Sequence, residues 1–509
     1  MAEDALADSQ PVRGLGRFAP ALPSHWVHPL AGVVGGIVTV ALYAWRPEHV
    51  NGMQAGLVIV AFWVTLGGCL WWYANRTESV LPVFPVSLVI YFASFPFAIY
   101  LYGVIWPSHI PTIFLAYRAD SVDEFADLRS LILAVAGLTT YITGFVVLRS
   151  RLVSFLPHFS LPRQYSIKRL RILCWLLIAG HLIYVGFPVV QQIPSIGQFF
   201  LPIGYLGFGI LFYFWSRGRI GHLEAAAALV CVLVGLGLRL LIHWGLTPIV
   251  VFGLFFFFAY YYAYRRAPLI AMALVVATLF MSYGGVQLYR HMKTTDLWYE
   301  RSTGMGVLSD AVNVSRLVYY LWVAPTGESW KDLQRLSFHE FRRNNLRPIV
   351  NRLALQPLMS LVATRSPAQV PYWRGESYRG MLSNLVPRAL WPGKPREIWG
   401  NAMGQRYGLL NPNDRVTSVN IPWMIELLAN FGGLGVVVGM LAIGGFMALL
   451  DRFFNAADMT PLAAVSAAVI VTPLAYHDSN FTLMTGSLLP LTVCIYLYFR
   501  FGLTMRTNR

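Results

Sequence analysis

The chain has 509 residues, of which 56% are apolar and only 12% are charged, and its formal net charge is +16. Soluble domains have roughly 45–50% apolar and about 25% charged residues, so this composition excludes an ordinary soluble protein. The positive charge does not indicate nucleic-acid binding, because the Lys and Arg residues lie in short clusters between apolar runs, as in the cytoplasmic connections of membrane proteins.

The first 27 residues carry charges of both signs and no apolar core of the signal-peptide type, which predicts a cytoplasmic segment over 1–27. Twelve apolar runs follow, each of roughly the 17–25 residues with which a helix crosses a bilayer. They lie at 29–45, 53–73, 81–106, 128–148, 170–190, 197–215, 223–243, 246–264, 268–288, 432–450, 459–476 and 482–499. These runs predict an all-α polytopic membrane protein with nine spans in 28–288 and three in 432–509.

The distribution of Lys and Arg in the short connections predicts the orientation. With the N-terminus inside, the short outer connections hold only Arg46, Arg118 and Arg239, whereas the inner segments hold 17 Lys and Arg residues. This asymmetry places both termini in the cytoplasm and the segment 289–431 outside, which in a bacterial inner membrane is the periplasm.

The segment 289–431 is far longer than an ordinary connection, and loops of this length are usually functional. It carries more basic than acidic residues, which predicts an anion site beside the bilayer. Stretches 307–322 and 333–363 have helical spacing, and 419–431 has the pattern of a helix lying in the membrane interface.

Arg239 is an unusual cation because it lies near the outer end of the seventh span, with His243 on the same helical face. A charge in such a position normally faces a cavity or a partner. Two interpretations stay open: the side chain reaches lipid headgroup phosphates, or it clamps an anionic substrate.

Further cations lie in the outer segment and predict phosphate or pyrophosphate binding, because a planar guanidinium binds phosphate oxygens without a metal. The predicted substrate-binding residues here are Arg290, Arg374, Arg379, Arg388 and Lys394. The sequence has no motif typical of metal binding, so no metal and no cofactor are predicted.

Glu376 and Glu426 are the candidates for proton transfer, with His339, His291 and His477 as further choices. Glu376 lies between two Arg residues, so it is either a base or a structural counter-ion. Glu426 is either a base or a water-facing cap or Arg partner. His477 lies at an outer turn, where it is either a substrate-binding residue or a plain loop residue.

Two stretches of the outer segment resemble a known family. SYRGMLSNLVPRALWPGKP, followed by IELLANFGGLGVVVG, is similar to the pattern PR-x-x-W-P-x-K-P … E-x-x-x-N-F-G-x-x-G of Wzy-type oligosaccharide repeat-unit polymerases, which are relatives of the O-antigen ligases. The resemblance covers about 65 residues closely, and the hydropathy profile is similar over most of the chain. It carries family roles over to Arg239, Arg388, Lys394 and Glu426.

The resemblance implies a metal-independent membrane glycosyltransferase with a GT-C-like fold. Such an enzyme transfers a growing glycan from undecaprenyl pyrophosphate to the non-reducing end of an incoming lipid-linked unit. The predicted catalytic residues are Arg239 and Glu426, from the family pattern, and Glu376, from its position between two Arg residues. The partners would be the lipid-linked donor and acceptor, the bilayer, a chain-length regulator and export proteins. The product class, whether O-antigen, capsule or exopolysaccharide, stays open.

Two features of the family pattern are missing from this chain. The paired R-x10-G loop motifs of some O-antigen polymerases are absent, and the catalytic His of the ligases has no clear counterpart, although His339 is available. Three alternatives therefore stay open: a ligase with another acceptor, a flippase or transporter of lipid-linked oligosaccharides, and an assembly partner of an export machine.

Overall fold

The structure is a computed structural model, and it describes residues 24–76, 79–105, 127–151, 156–193, 196–243, 247–274, 276, 350, 352–386, 388, 390–395, 398–415, 417–476 and 479–504. Within these residues every regular element is a helix, and the only β contact is an isolated bridge between Ser79 and Ala456. This part of the chain is therefore all-α, as the apolar runs predict.

The helices in the order of the chain are α1 (Ser24–Ala44), α2 (Gly52–Ala74), α3 (Val83–Ser94), α4 (Ala98–Ile105), α5 (Leu128–Arg151), α6 (Ile167–Gly186), α7 (Gly197–Ser216), α8 (His222–His243), α9 (Thr247–Tyr264), α10 (Gln356–Arg365), α11 (Met381–Asn384), α12 (Trp399–Arg406), α13 (Trp423–Phe454), α14 (Pro461–Tyr476), α15 (Phe481–Gly486) and α16 (Leu488–Thr504). A four-residue helix, Pro188–Gln191, and a 3-10 turn, Glu376–Tyr378, complete the set of described helical elements.

Nine helical segments of the described chain are long and apolar enough to cross a membrane. They lie in α1, α2, α5, α6, α7, α8, α9, α13 and the α15–α16 pair. Helices α3 and α14 are also apolar but shorter, with 12 and 16 residues. The chain thus has the helices of a multi-pass membrane protein. The ninth predicted span, 268–288, lies largely outside the described residues.

The third predicted span differs from the structure. A single span is predicted over 81–106, but the structure has α3 and α4 with a break between Ser94 and Ala98. Pro96 lies in this break, because proline has no N–H for the helical ladder and its ring clashes with the preceding turn.

The predicted interfacial helix over 419–431 also differs. The helix begins at Trp423, and every residue from 423 to 430 is buried. A helix lying in the membrane interface exposes one polar face. This segment instead packs inside the protein and runs on to Phe454, with a break in its helical conformation at Gly432.

Helices α5 and α13 form the most extensive contact between two elements of the described chain. Two glycines allow this close contact, because a side chain at either position would clash with the facing backbone. A Cβ atom on Gly144 would lie 2.0 Å from the Leu441 carbonyl oxygen, and a Cβ atom on Gly444 would lie 2.0 Å from the Tyr141 carbonyl oxygen. Between membrane helices, small residues let the backbones approach closely. This contact fixes the helix that carries Glu426 against α5.

One end of the bundle is closed by a buried polar network. Arg149 on α5 pairs with Asp451 on α13 at 2.8 Å, and both side chains are buried. Asn455 accepts hydrogen bonds from the backbone N–H groups of Val80 and Leu81. Connections that the sequence analysis places in the cytoplasm therefore meet at this end, which we call the opposite end.

The described part of the 289–431 segment packs on the other end, which we call the loop end. Helix α10 contacts α5 and α13, and the hydroxyl groups of Ser130 and Ser360 are 2.7 Å apart. Gln356 donates a second hydrogen bond to Ser130, at 2.8 Å. This segment is thus attached to the helical bundle through buried polar contacts.

Candidate functional site

Glu426 lies in the first turn of α13 and is fully buried. Its Oε1 atom accepts a hydrogen bond of 2.6 Å from the Ser377 hydroxyl, and its Oε2 atom accepts one of 2.7 Å from the backbone N–H of Phe481. The carboxylate therefore connects α13 both to the 3-10 turn and to the start of α15. The interpretation of Glu426 as a water-facing cap is wrong, because no part of the residue is exposed.

Asn430 lies one helical turn after Glu426, on the same face of α13. Its amide group donates to the Ser377 hydroxyl at 2.9 Å, and its side-chain oxygen accepts from the Gly375 backbone N–H at 2.9 Å. The E-x-x-x-N spacing thus gives two side chains that together hold the segment 374–378 against α13.

Gly432 breaks α13 directly after the NF dipeptide, with φ 70° and ψ −162°. The break leaves carbonyl groups without their helical partners. Those of Ala429 and Asn430 accept hydrogen bonds from the backbone N–H groups of Trp373 and Arg374. A Cβ atom on Gly432 would lie 2.8 Å from the Tyr372 hydroxyl, so both the positive φ and the close approach require glycine.

The segment held in this way presents three charged side chains at the surface. Arg374 is exposed, and Arg379 lies 3.7 Å from Glu376, with side chains 79% and 46% exposed. An exposed pair of this kind contributes little to stability, on the order of 0–1 kcal/mol. The three groups are therefore accessible at the loop end, where the sequence analysis expects an anionic substrate.

Arg388 and Lys394 donate hydrogen bonds within their own loop. Arg388 donates to the carbonyl groups of Pro392, Lys394 and Pro395, and the Lys394 ammonium donates to the Val386 carbonyl at 3.1 Å. These contacts fold the proline-rich loop back on itself. Both residues therefore stabilise the loop, and their role in substrate binding stays a prediction.

Tyr378 packs between α13 and α15. Its ring stacks on that of Phe431, with centroids 6.1 Å apart, and its hydroxyl has no hydrogen-bond partner among the described residues. Burial, followed by the nearby negative charge of Glu426, raises the pKa of the Tyr378 phenol well above its ordinary value. The phenol therefore stays neutral, and its contribution here is packing.

Arg239 lines a cavity of about 190 Å³ inside the bundle. The apolar span of α8 ends at this residue, and its Nε atom is buried without a hydrogen-bond acceptor in the described part of the chain. The polar residues that line the cavity are Gln198, Tyr205, Arg239, Thr247, Thr472 and Ser487. None of the described residues that line the cavity is Asp or Glu, so this described lining is positively charged and suits an anionic group.

Two lining residues of this cavity were not predicted from the sequence. Gln198 and Tyr205 both lie on α7, and the Gln198 amide nitrogen is buried without an acceptor among the described residues. His181 packs against Tyr205 with ring centroids 5.6 Å apart, and its Nδ1 atom lies 3.1 Å from the Phe200 carbonyl oxygen. A glutamine inside an apolar span was the available signal, because polar residues there usually face a cavity.

Helix α15 connects the Glu426 region with the Arg239 cavity. Phe481 at its start contacts Glu426, and Ser487 directly after its end lines the cavity. Six residue steps at the helical rise correspond to about 9 Å. The α11 helix, which follows the exposed charges, packs against the same short helix at Asn384 and Gly486. The structure therefore brings Glu426, Glu376 and Arg239 to one end of the bundle.

Several predicted residues lie outside the described part of the chain. These are Arg290 and His477, together with His291 and His339. Among the described residues, no group of three or more His, Cys, Asp or Glu is arranged to hold a metal ion.

Comparisons of the chain with protein-family models, with curated proteins and with solved structures find no match. The likeness to repeat-unit polymerases therefore stays a hypothesis carried by the residues quoted above.

Proposed function

We propose that this protein is a membrane glycosyltransferase that polymerises undecaprenyl-pyrophosphate-linked oligosaccharide repeat units at the outer face of a bacterial inner membrane. The observation that carries this proposal is the Arg239 cavity, which combines a partly buried guanidinium with a lining that, in the described part of the chain, contains no carboxylate. A lipid pyrophosphate supplies the anion, and the surrounding membrane-length helices supply an apolar environment for its tail.

In the proposed reaction, a hydroxyl group of the incoming unit attacks the anomeric carbon of the growing glycan. The bond from that carbon to the pyrophosphate oxygen breaks, and the pyrophosphate leaves with the electron pair. Negative charge develops on this leaving group, so a fixed guanidinium at Arg239 stabilises the transition state more than the ground state. In this proposal Arg374 and Arg379, which are exposed at the same end of the bundle, bind the remaining phosphate or sugar oxygens.

The proton of the attacking hydroxyl needs an acceptor, and the two predicted glutamates differ in their ability to serve. Glu376 is 46% exposed and lies at the surface of the loop end. Glu426 is fully buried, with both oxygens in hydrogen bonds. We therefore assign proton transfer to Glu376 and a positioning role to Glu426, which holds the segment that carries Glu376.

The test uses the full chain in nanodiscs, with lipid-linked repeat units isolated from cells that lack this protein. We expect a ladder of longer glycans on a gel, formed in the presence of EDTA. Arg239→Gln keeps a polar side chain but removes the charge, and we expect it to lose about 100-fold or more of the rate. Arg219→Gln is the matched control, because Arg219 is exposed and lies in the connection after the far end of α7.

Two results contradict the proposal. One is a folded wild-type protein that makes no ladder from these units. The other is an Arg239→Gln variant as active as Arg219→Gln, which removes the cavity from the mechanism. If instead the units stay single while another acceptor is glycosylated, the protein is a ligase.

A transporter of the same lipid-linked unit is the second candidate, because a charged cavity among membrane-length helices also suits a substrate that crosses the bilayer. Cells that carry Arg239→Gln distinguish the two functions. A polymerase defect leaves single units on the outer face of the membrane, whereas a transport defect leaves them on the cytoplasmic face.

A further inference from the structure

A second cavity, of about 180 Å³, lies at the loop end on the other side of α9. It is lined mainly by apolar side chains of α3, α9 and the segment before α10, and by Tyr476 at the end of α14. Among the described residues that line it, Arg352 is the one with a charged side chain, and none is Asp or Glu. The cavity therefore has the same chemical character as the Arg239 cavity.

Helix α9 separates the two cavities. Val251 and Phe255 line the Arg239 cavity, whereas Val250 and Leu254 line the second cavity. Positions 251 and 255, like 250 and 254, are one helical turn apart, so each pair forms a stripe, and the two stripes lie on neighbouring faces about 100° apart around the helix. Two cavities of nearly equal volume thus lie side by side in one bundle.

Thr247, the first residue of α9, lies beside both the Arg239 cavity and the Arg352 guanidinium. It lines the Arg239 cavity, and its hydroxyl accepts a hydrogen bond of 3.4 Å from the Arg352 guanidinium, which lines the second cavity. The charged ends of both cavities therefore lie near the start of α9, and their apolar walls continue along the helix. A ligand with an anionic head and an apolar tail matches each cavity.

We propose that the Arg352 cavity binds the phosphate head of a second polyprenyl carrier, so that two lipid-linked substrates occupy the protein together on the two sides of α9. This inference rests on the proposed function, since a transfer between two lipid-linked units requires both at one time. It assigns the second substrate to Arg352 and to the apolar stripe of Val250 and Leu254. Holding both carriers in one bundle replaces a bimolecular encounter with a reaction between bound groups.

The test measures binding without turnover. Radiolabelled undecaprenyl phosphate is titrated into the purified full chain in detergent, and bound carrier is counted per chain at saturation. We expect two carriers on the wild type and on Arg219→Gln, one on Arg352→Gln, one on Arg239→Gln and none on the double variant. A wild type that binds one carrier, or an Arg352→Gln variant that binds as many as the wild type, overturns the inference.

Two further measurements test the assignment of the second carrier to this cavity. Leu254→Trp fills the cavity and keeps Arg352, so it also is expected to bind one carrier. Wild-type protein labelled with a photoreactive polyprenyl phosphate is expected to crosslink to the peptides around 250–254 and 352–355, and this measurement needs no variant. Crosslinks in other peptides only would contradict the assignment. Displacement of the second carrier by excess phosphatidylglycerol would also contradict it, because the cavity would then be a site for ordinary phospholipid.

The outcomes separate the two proposals. A protein that binds two carriers but makes no ladder overturns the proposed polymerase and keeps the Arg352 site. A protein that makes a ladder but binds one carrier overturns the Arg352 site and keeps the polymerase.

Discussion

Glu376 precedes Ser377 in the chain and Glu426 accepts a hydrogen bond from Ser377, but the two carboxylates differ in burial and in their partners. Glu426 accepts hydrogen bonds from a hydroxyl group and from a backbone N–H inside the protein, whereas Glu376 lies at the surface beside Arg379. A buried acceptor with two donors is costly to change, because its partners lose their hydrogen bonds. At the residue scale, one glutamate therefore stabilises the site and the other is accessible from it.

This difference predicts the effect of removing each charge. In Glu426→Gln one acceptor oxygen becomes a donor amide, so either Ser377 or Phe481 loses its partner, and we expect destabilisation of about 1–3 kcal/mol. Glu376→Gln breaks only an exposed ion pair, with an expected cost of at most about 1 kcal/mol. Thermal unfolding in detergent measures both. Equal midpoints for the two variants would contradict the positioning role of Glu426.

At the scale of the elements, the contact between α5 and α13 keeps the site in place. Gly144 and Gly444 bring the two backbones together, and α13 then carries Glu426 and Asn430 to the loop end. Larger side chains at these positions would separate the helices, since overpacking a membrane helix contact requires the backbones to move. A change in the distance between α5 and α13 would also displace the segment 374–378, because this segment is hydrogen-bonded to α13.

Gly444→Val tests this contact. We expect a loss of about 1–3 kcal/mol or more, because the new side chain meets the Tyr141 carbonyl rather than a flexible group. Gly36→Val on α1 is the control, since a Cβ atom at Gly36 meets nothing within 4 Å. The midpoint of thermal unfolding is compared for the two variants. A Gly444→Val protein as stable as Gly36→Val would show that α5 and α13 are not in close contact.

At the scale of the whole molecule, the two ends of the bundle carry different polar structures. The opposite end is closed by Arg149, Asp451 and Asn455, and the loop end carries the exposed charges and both cavities. Chemistry on an exported lipid-linked substrate requires the loop end to face outward. The distribution of Lys and Arg in the sequence predicts this orientation.

Cysteine labelling checks the orientation. In a background without Cys69, Cys174, Cys231 and Cys494, a single cysteine replaces either exposed Arg374 at the loop end or Asp458, whose side chain is 63% exposed, at the opposite end. We expect a membrane-impermeant maleimide to label Arg374→Cys in intact spheroplasts and Asp458→Cys only after permeabilisation. The cysteine-free parent is the control for background labelling. The reverse pattern would place the loop end in the cytoplasm and remove the proposed reaction from the outer face.

The sequence by itself determined the positions of most membrane-length helices, because hydropathy and length are properties of each local run. It also placed Glu426 and Asn430 on one face of α13, since their spacing is one helical turn. The tertiary structure alone decided what these residues contact. The partners of Glu426 are 49 and 55 positions away, and the Arg239 cavity is built from α7, α8, α9, α14 and α16. Periodicity records which face of a helix is apolar, but not which distant segment packs against it.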